Sequence, residues 1–279
     1  MRKTTTIYWI LAILITLATV VFQRMTGPTN PKQARFTLNG KEYRSSLPRS
    51  ITNGDTYSNL KFTIKGLPDD IVPDVFIRKY RSKDKWTPIT PNRSEDRFIV
   101  QLPVAPAAAK IEYYLLFTQA ESDMIVTQEE TVVARFKNSV PAFILIPHIL
   151  LMFAAMLFSN LSGLLAFFRR ERYMAYAKIA FACLLLGGMV LGCFVQKAAF
   201  GQYWTGFPLG NDLTDNKTLL AFIVWLIAII ANWRSNKHPL WITIAAVFIL
   251  LVYCIPHSTG GSEYDYQTGE IRTGNAFTP

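Results

Sequence analysis

Two copies of the triplet Ile-Pro-His, at Ile146–His148 and Ile255–His257, hold two of the chain's three histidines. Neutral imidazole ligates haem iron and first-row divalent metals. Carboxylates follow at Asp212 and Asp215 in "PLGNDLTDNK" and at Glu263 and Asp265 in "GGSEYDY". His148 and His257 with these four carboxylates make a candidate divalent-metal set, and the two histidines alone make candidate haem ligands. The same groups suit acid–base chemistry on a lipid or envelope substrate. Each residue also has a plainer role. Histidines are common at membrane interfaces, prolines punctuate helix ends, and Thr214, Asp215 or Asn216 would N-cap an ordinary helix. His238, in "NKHPL", falls in a polar connection.

Whether these groups can meet depends on the elements that carry them. The chain is 51% hydrophobic and only 17% charged, against about a quarter charged in soluble domains. The charge deficit is local. Apolar runs lie at Ile7–Phe22, Val140–Phe168, Ile179–Val195, Leu219–Ala231 and Leu240–Ile255, and about 20 apolar residues cross a bilayer. The first run follows "MRK" as a cleaved signal peptide would, but it lacks a clear A-x-A exit, so an uncleaved signal anchor is favoured with a cleaved signal peptide as the alternative. "FRRERYMAYAK" and "NWRSNKH" carry six basic residues against one acid. The alternate connections, Gln196–Lys217 and His257–Pro279, carry three against five. The positive-inside rule then puts the N-terminus in the cytoplasm and the C-terminus outside, which in a bacterial inner membrane, the expected location, is the periplasm. Counting spans from either end places His148 and His257 at one depth on the outer side, so the spacing permits a shared site.

The segment after the first run contains "ARFTLNG", "LKFTIKG", "PDVFIRKYR", "DRFIVQLP", "AKIEYYLLFT" and "TVVARFK", separated by turn signals. Period-two alternation over six or seven short runs predicts an antiparallel β-sandwich. The three cysteines all lie in apolar runs, without metal or redox spacing, so this segment folds without disulfides. Its eighteen basic residues are scattered rather than gathered on one predicted element, which excludes nucleic acid as the expected partner.

Two resemblances add to this reading. "VFIRKYRSKDKWTPIT", "RFIVQLPVAP" and "KIEYYLLFT" together resemble a fibronectin type III or immunoglobulin-like module. That likeness implies a partner-binding or spacer role, with Trp86, Tyr113 and Tyr114 in the aromatic core or at its edge. "RFKNSVPAFILIPHILLMFAAMLFS", "YWTGFPLGNDLTDNKTL" and "IPHSTGGSEYDYQTGE" resemble bacterial integral membrane proteins of no assigned chemistry. The last stretch is also similar to the outer end of small membrane proteins suspected of binding haem.

The expected architecture is five transmembrane helices plus an immunoglobulin-like sandwich between the first and second. Residues 1–22 form the anchor, 23–138 the periplasmic sandwich, 139–256 a four-helix transmembrane domain and 257–279 a periplasmic tail. The loop "FGQYWTGFPLGNDLTDNK" is too apolar for solvent, so Tyr203, Trp204 and Phe207 are expected to bind a partner and, with the tail, to roof the spans. Gly188 and Gly192 form a small-xxx-small pair for helix packing. No phosphate-loop, zincin or nucleophile-elbow motif occurs. The expected function is a non-enzymatic inner-membrane protein, a complex subunit that contacts the bilayer and another membrane or periplasmic protein. A haem- or metal-bearing redox protein and a membrane enzyme are the alternatives.

Overall fold

A computed structural model describes residues 2–118, 124–126, 131–234, 238–256 and 259–273. His257 therefore lies outside the described residues. The chain divides into two compact units: Pro28–Ser139 with Ser262–Arg272 form a sheet unit, and the remainder forms a helical unit.

Among the described residues the helical unit holds five helices: α1 (Arg2–Thr26), α2 (Ala142–Phe167), α3 (Tyr173–Phe200), α4 (Leu213–Ala231) and α5 (Pro239–Cys254). Four of them, α1 to α4, are long and apolar enough to cross a membrane. α5 has 16 residues, about 24 Å at 1.5 Å per residue. Local chemistry sets the ends. Gly201 closes α3 in the left-handed conformation that glycine adopts without a Cβ clash. Asp212 caps α4 through Thr214 N–H at 2.8 Å, two residues before the earliest cap expected from sequence. Pro239 opens α5, where a missing N–H costs nothing.

Small residues let the helices approach closely. Ala155, Ala221, Ala228, Ala245 and Ala246 are buried around the fully buried Trp225. Gly163 is tighter still, since a Cβ there would lie 2.4 Å from the Ala246 Cβ. Within α3, Leu184–Leu191 widens to a π-helix. On α1, Tyr8 and Ala12 are buried beside Leu161 and Leu165 of α2. Asn160 of α2 donates to the Thr16 hydroxyl at 3.0 Å, with both residues buried.

The sheet unit begins with an antiparallel hairpin, β1 (Lys32–Leu38) and β2 (Lys41–Leu47). Its turn, Asn39-Gly40, has positive φ at both residues, as a primed turn requires. There follow β3 (Ser50–Thr52), β4 (Tyr57–Thr63), β5 (Asp74–Lys79), β6 (Thr87–Ile89), β7 (Asn92–Ser94), β8 (Arg97–Pro103), β9 (Lys110–Phe117), β10 (Met124–Val126) and β11 (Val132–Lys137). The final pair is β12 (Glu263–Tyr264) and β13 (Ile271–Arg272). One sheet runs β3-β11-β9-β5-β6, with β10 also on β9, and another runs β4-β8-β7. Among the described residues all pairings are antiparallel except β3 with β11. β4 alternates strictly between exposed and buried residues. β9 is buried along most of its length and has neighbours on both edges. Both sheets and the hairpin share one core, which includes Phe36, Phe62, Phe98, Tyr113, Phe117 and Phe136.

Candidate functional site

α3 and α4 are joined by residues 201–212, and buried polar groups hold this loop in place. Asp212 and Asp215 are about 5% and 6% exposed, although both are carboxylates. Buried charges need hydrogen-bond partners. Asp215 Oδ2 accepts the Thr205 N–H at 2.6 Å and lies 3.1 Å from the Thr205 hydroxyl. Asp212 Oδ2 lies 3.1 Å from the same hydroxyl. One hydroxyl carries one proton, so it serves one carboxylate at a time. Gln196 Nε2 donates to that oxygen at 2.5 Å, and Asp212 N–H donates to the Thr205 carbonyl at 3.0 Å. Thr205 is thus the hub between α3, the loop and α4.

The loop beyond the hub is fixed in the same way. Asn216 Oδ1 accepts the Phe207 N–H at 2.6 Å, and Trp204 Nε1 donates to the Phe207 carbonyl at 2.9 Å. Gly206 sits so close to α4 that an added Cβ would meet the Asp215 Cβ at 2.6 Å and Asn216 Oδ1 at 2.7 Å. Asn211 N–H reaches the Thr273 hydroxyl at 3.0 Å. One turn into α4, the buried Lys217 donates to the Ile255 carbonyl at 2.7 Å. That contact ties α4 to the C-terminal end of α5, where cations complement unpaired carbonyls.

The rigid base displays large apolar side chains. Tyr203, Phe207 and Leu209 are 52%, 68% and 76% exposed. Trp204 is half-buried and serves the loop itself. Of the three residues expected to meet a partner, Tyr203 and Phe207 are presented outward. Leu209 joins them, unmarked in the sequence by any motif. No motif marks Thr205, Gly206, Gln196 or Lys217 either, and Asn216 is expected only as a helix N-cap. The signal available for them was a dense set of Asp, Asn and Gly residues immediately before an apolar run, the composition of a capped and pinned helix entry.

Each candidate metal or haem residue among the described ones has partners within its own unit. His148 lies on α2 and its Nδ1 hydrogen-bonds the Gly187 carbonyl at 2.8 Å. A carbonyl only accepts, so Nδ1 carries a proton and donates it. Gly187 belongs to the π-helical segment and its carbonyl also accepts the Gly192 N–H. His148 therefore braces the widened turn. Glu263 and Asp265 lie in the sheet unit. Glu263 pairs with Lys110 at 2.6 Å and Asp265 with Arg272 at 2.5 Å. Among the described residues, no group of three or more His, Cys, Asp or Glu side chains could hold a metal ion. The His238 backbone N–H donates to Asn232 Oδ1 at 3.1 Å in the α4–α5 connection.

The glycine pair of α3 divides in role. Gly188 is buried 3.1 Å from the Thr218 Cγ2 of α4, measured to an added Cβ, whereas Gly192 has only 3.6 Å and 3.8 Å neighbours. Gly187 makes the closer approach, 2.8 Å to the Leu151 Cβ of α2.

The segment Ser262–Arg272 closes on the sheet unit as a clasp. Tyr264 N–H donates to the Ala108 carbonyl at 3.1 Å, and Tyr266 Oη donates to the Lys110 carbonyl at 2.9 Å. Arg135 Nη2 reaches the Ser262 carbonyl. Burial pulls the Lys110 ammonium below its usual range despite the Glu263 carboxylate beside it. Burial pushes the Tyr266 phenol up to about 12. Backbone N–H donation from Gln267, and then the nearby Arg272, hold the Asp265 carboxyl below the usual carboxylate range. On the same unit Trp86 packs edge-on against Tyr114 and under the Arg78 guanidinium, 4.3 Å from the ring centroid. Tyr113 is fully buried.

Comparison with protein-family models, with curated proteins and with solved structures finds no match to this chain.

Proposed function

We propose that this chain is a non-enzymatic bacterial inner-membrane protein, a complex subunit whose pinned outer loop and immunoglobulin-like domain bind a partner protein in the periplasm. The observation that carries this reading is the display of Tyr203, Phe207 and Leu209 on a loop held by buried carboxylates. Exposed aromatic anchors on a rigid base lose little entropy on binding.

The strand order favours a sandwich. One sheet of β3-β11-β9-β5-β6 opposite one of β4-β8-β7, around a common core, matches the two-sheet immunoglobulin arrangement. Chain parity favours five spans. A compact unit built from residues before α2 and after α5 lies on one side of a membrane. An even number of crossings must then separate Ser139 from Ser262. α2, α3 and α4 supply three, so α5 is the fourth, its short length met by local bilayer thinning and flanking side chains. The basic connections after α2 and α4 favour the cytoplasm for those turns. Retention of α1 is favoured by the Asn160–Thr16 bond. Loss of α1 would leave a buried amide unpaired, at about 1–3 kcal/mol.

A photo-crosslinking residue at position 207, activated in native membranes, tests the reading. We expect a discrete protein adduct from position 207, identified by mass spectrometry, and none from Phe167, which is equally exposed at the far end of α2. Lipid adducts alone at position 207 would overturn it.

A further inference from the structure

One outer face of the sheet unit is basic. Strand alternation turns Arg35 of β1 and Arg44 of β2 outward, and the two are direct cross-strand partners. Directly opposed like charges destabilise a hairpin, and an apolar or oppositely charged pair would fold better there. β2 meets the end of β4 at the Ser45–Ile64 bridge, which sets exposed Lys65 beside Arg44. Lys61 of β4 and Arg97 of β8 continue the same face, with Thr63 opposite Arg97. Five cations thus share one exposed surface. Its carboxylates are fewer and engaged or marginal. Glu42 pairs with Arg44, both more than half exposed. Asp96 accepts the Gly66 N–H at 2.9 Å, and Glu95 lies in the β7–β8 turn. Arg35, Lys61, Lys65 and Arg97 make no ion pair among the described residues.

We propose that this face docks against the anionic phosphodiester headgroups of a phospholipid bilayer. Guanidinium forks bind phosphate oxygens bidentately, and an opposed arginine pair suits two neighbouring phosphates. A bilayer is favoured over a soluble polyanion by covalent connectivity. The chain carries four helices long and apolar enough to cross a membrane. Five residues, 27–31, join α1 to β1 and four, 138–141, join β11 to α2. A bilayer surface is therefore present at high effective concentration, where each basic residue adds attraction that salt screens. The test below contains no partner protein, so its failure is distinguishable from failure of the partner-binding reading.

The test is lysine footprinting of the full chain in nanodiscs of phosphatidylcholine, with or without phosphatidylglycerol. Acetylation of Lys61 and Lys65 is read against Lys83 and Lys85, which are exposed on a different connection. We expect phosphatidylglycerol to slow labelling of Lys61 and Lys65 about tenfold relative to Lys83 and Lys85. The effect should vanish in 0.5 M salt, as screening at about 10 Å or less requires. It should also vanish in the Arg35→Gln/Arg44→Gln variant, whose substitutions are solvent-exposed and relieve a repulsion. Equal labelling in both lipids overturns the proposal. So does equal slowing of all four lysines, or protection by soluble polyphosphate but not by phosphatidylglycerol.

Discussion

Gly206→Ala should unpin the aromatic loop without touching its exposed residues. The new methyl would lie 2.6 Å from the Asp215 Cβ and 2.7 Å from Asn216 Oδ1. Carbon–carbon contacts settle near 3.5–4.0 Å, so the loop must retreat by about 1 Å. The Thr205–Asp215 and Phe207–Asn216 bonds, each 2.6 Å, then stretch to about 3.6 Å, beyond hydrogen-bonding range. The first is charge-assisted, at about 1.5–3 kcal/mol, and the second is neutral, at about 1 kcal/mol. Together they shift the local opening equilibrium by about a hundredfold. Hydrogen exchange of residues 203–211, followed by mass spectrometry on protein in nanodiscs, reads that opening directly. Acceleration of about a hundredfold there, with α2 and β9 unchanged, is the expected outcome. Exchange within threefold of wild type would refute the claim that buried carboxylates hold the loop.

Gly163→Ala should lower the thermal midpoint in detergent through about 1–3 kcal/mol of overpacking. Adding Ala246→Gly should recover most of the loss, because the clash is with that one Cβ. Full-length protein carrying an N-terminal tag should keep the tag after membrane insertion, as shown by intact mass, and loss of the first helix would contradict the α1–α2 packing. In the clasp, the Tyr266 phenol is raised to about 12 from an ordinary value near 10. A raised acid stabilises the closed form below pH 10 and loses that contribution as pH rises through about 12. A difference titration at 295 nm between wild type and Tyr266→Phe should therefore show one ionisation near pH 12. An ionisation near 10 would show that Tyr266 is not buried by the clasp.

Much of the local structure was legible because its signals are local. Period-two alternation marked β4 and β8, and Asn39-Gly40 marked the first hairpin. The apolar runs marked the helices, though polar residues at both ends hid their full extent. α4 begins at Leu213, six residues before the apolar run does, because Asp212, Asp215 and Lys217 are each satisfied by hydrogen bonds. Long-range pairings left no such trace. Nothing in "GGSEYDY" announces that Glu263 meets Lys110, a partner 153 residues away. Thr205 is an unremarkable residue in sequence and becomes a hub only when α3 and α4 bring Gln196, Asp212 and Asp215 around it. The π-helical turn is equally silent, since Leu184–Leu191 has the composition of any apolar helix.

The clasp also has a temporal consequence. Ser139 ends the main body of the sheet unit and Ser262 begins its last piece, with every later helix synthesised between them. At roughly 5–20 residues per second, a ribosome takes about 6–25 s to cover that interval. Throughout it, Lys110 and the Ala108 carbonyl wait for Glu263 and Tyr264. Maturation of the sheet unit thus ends only after the last helix has left the ribosome.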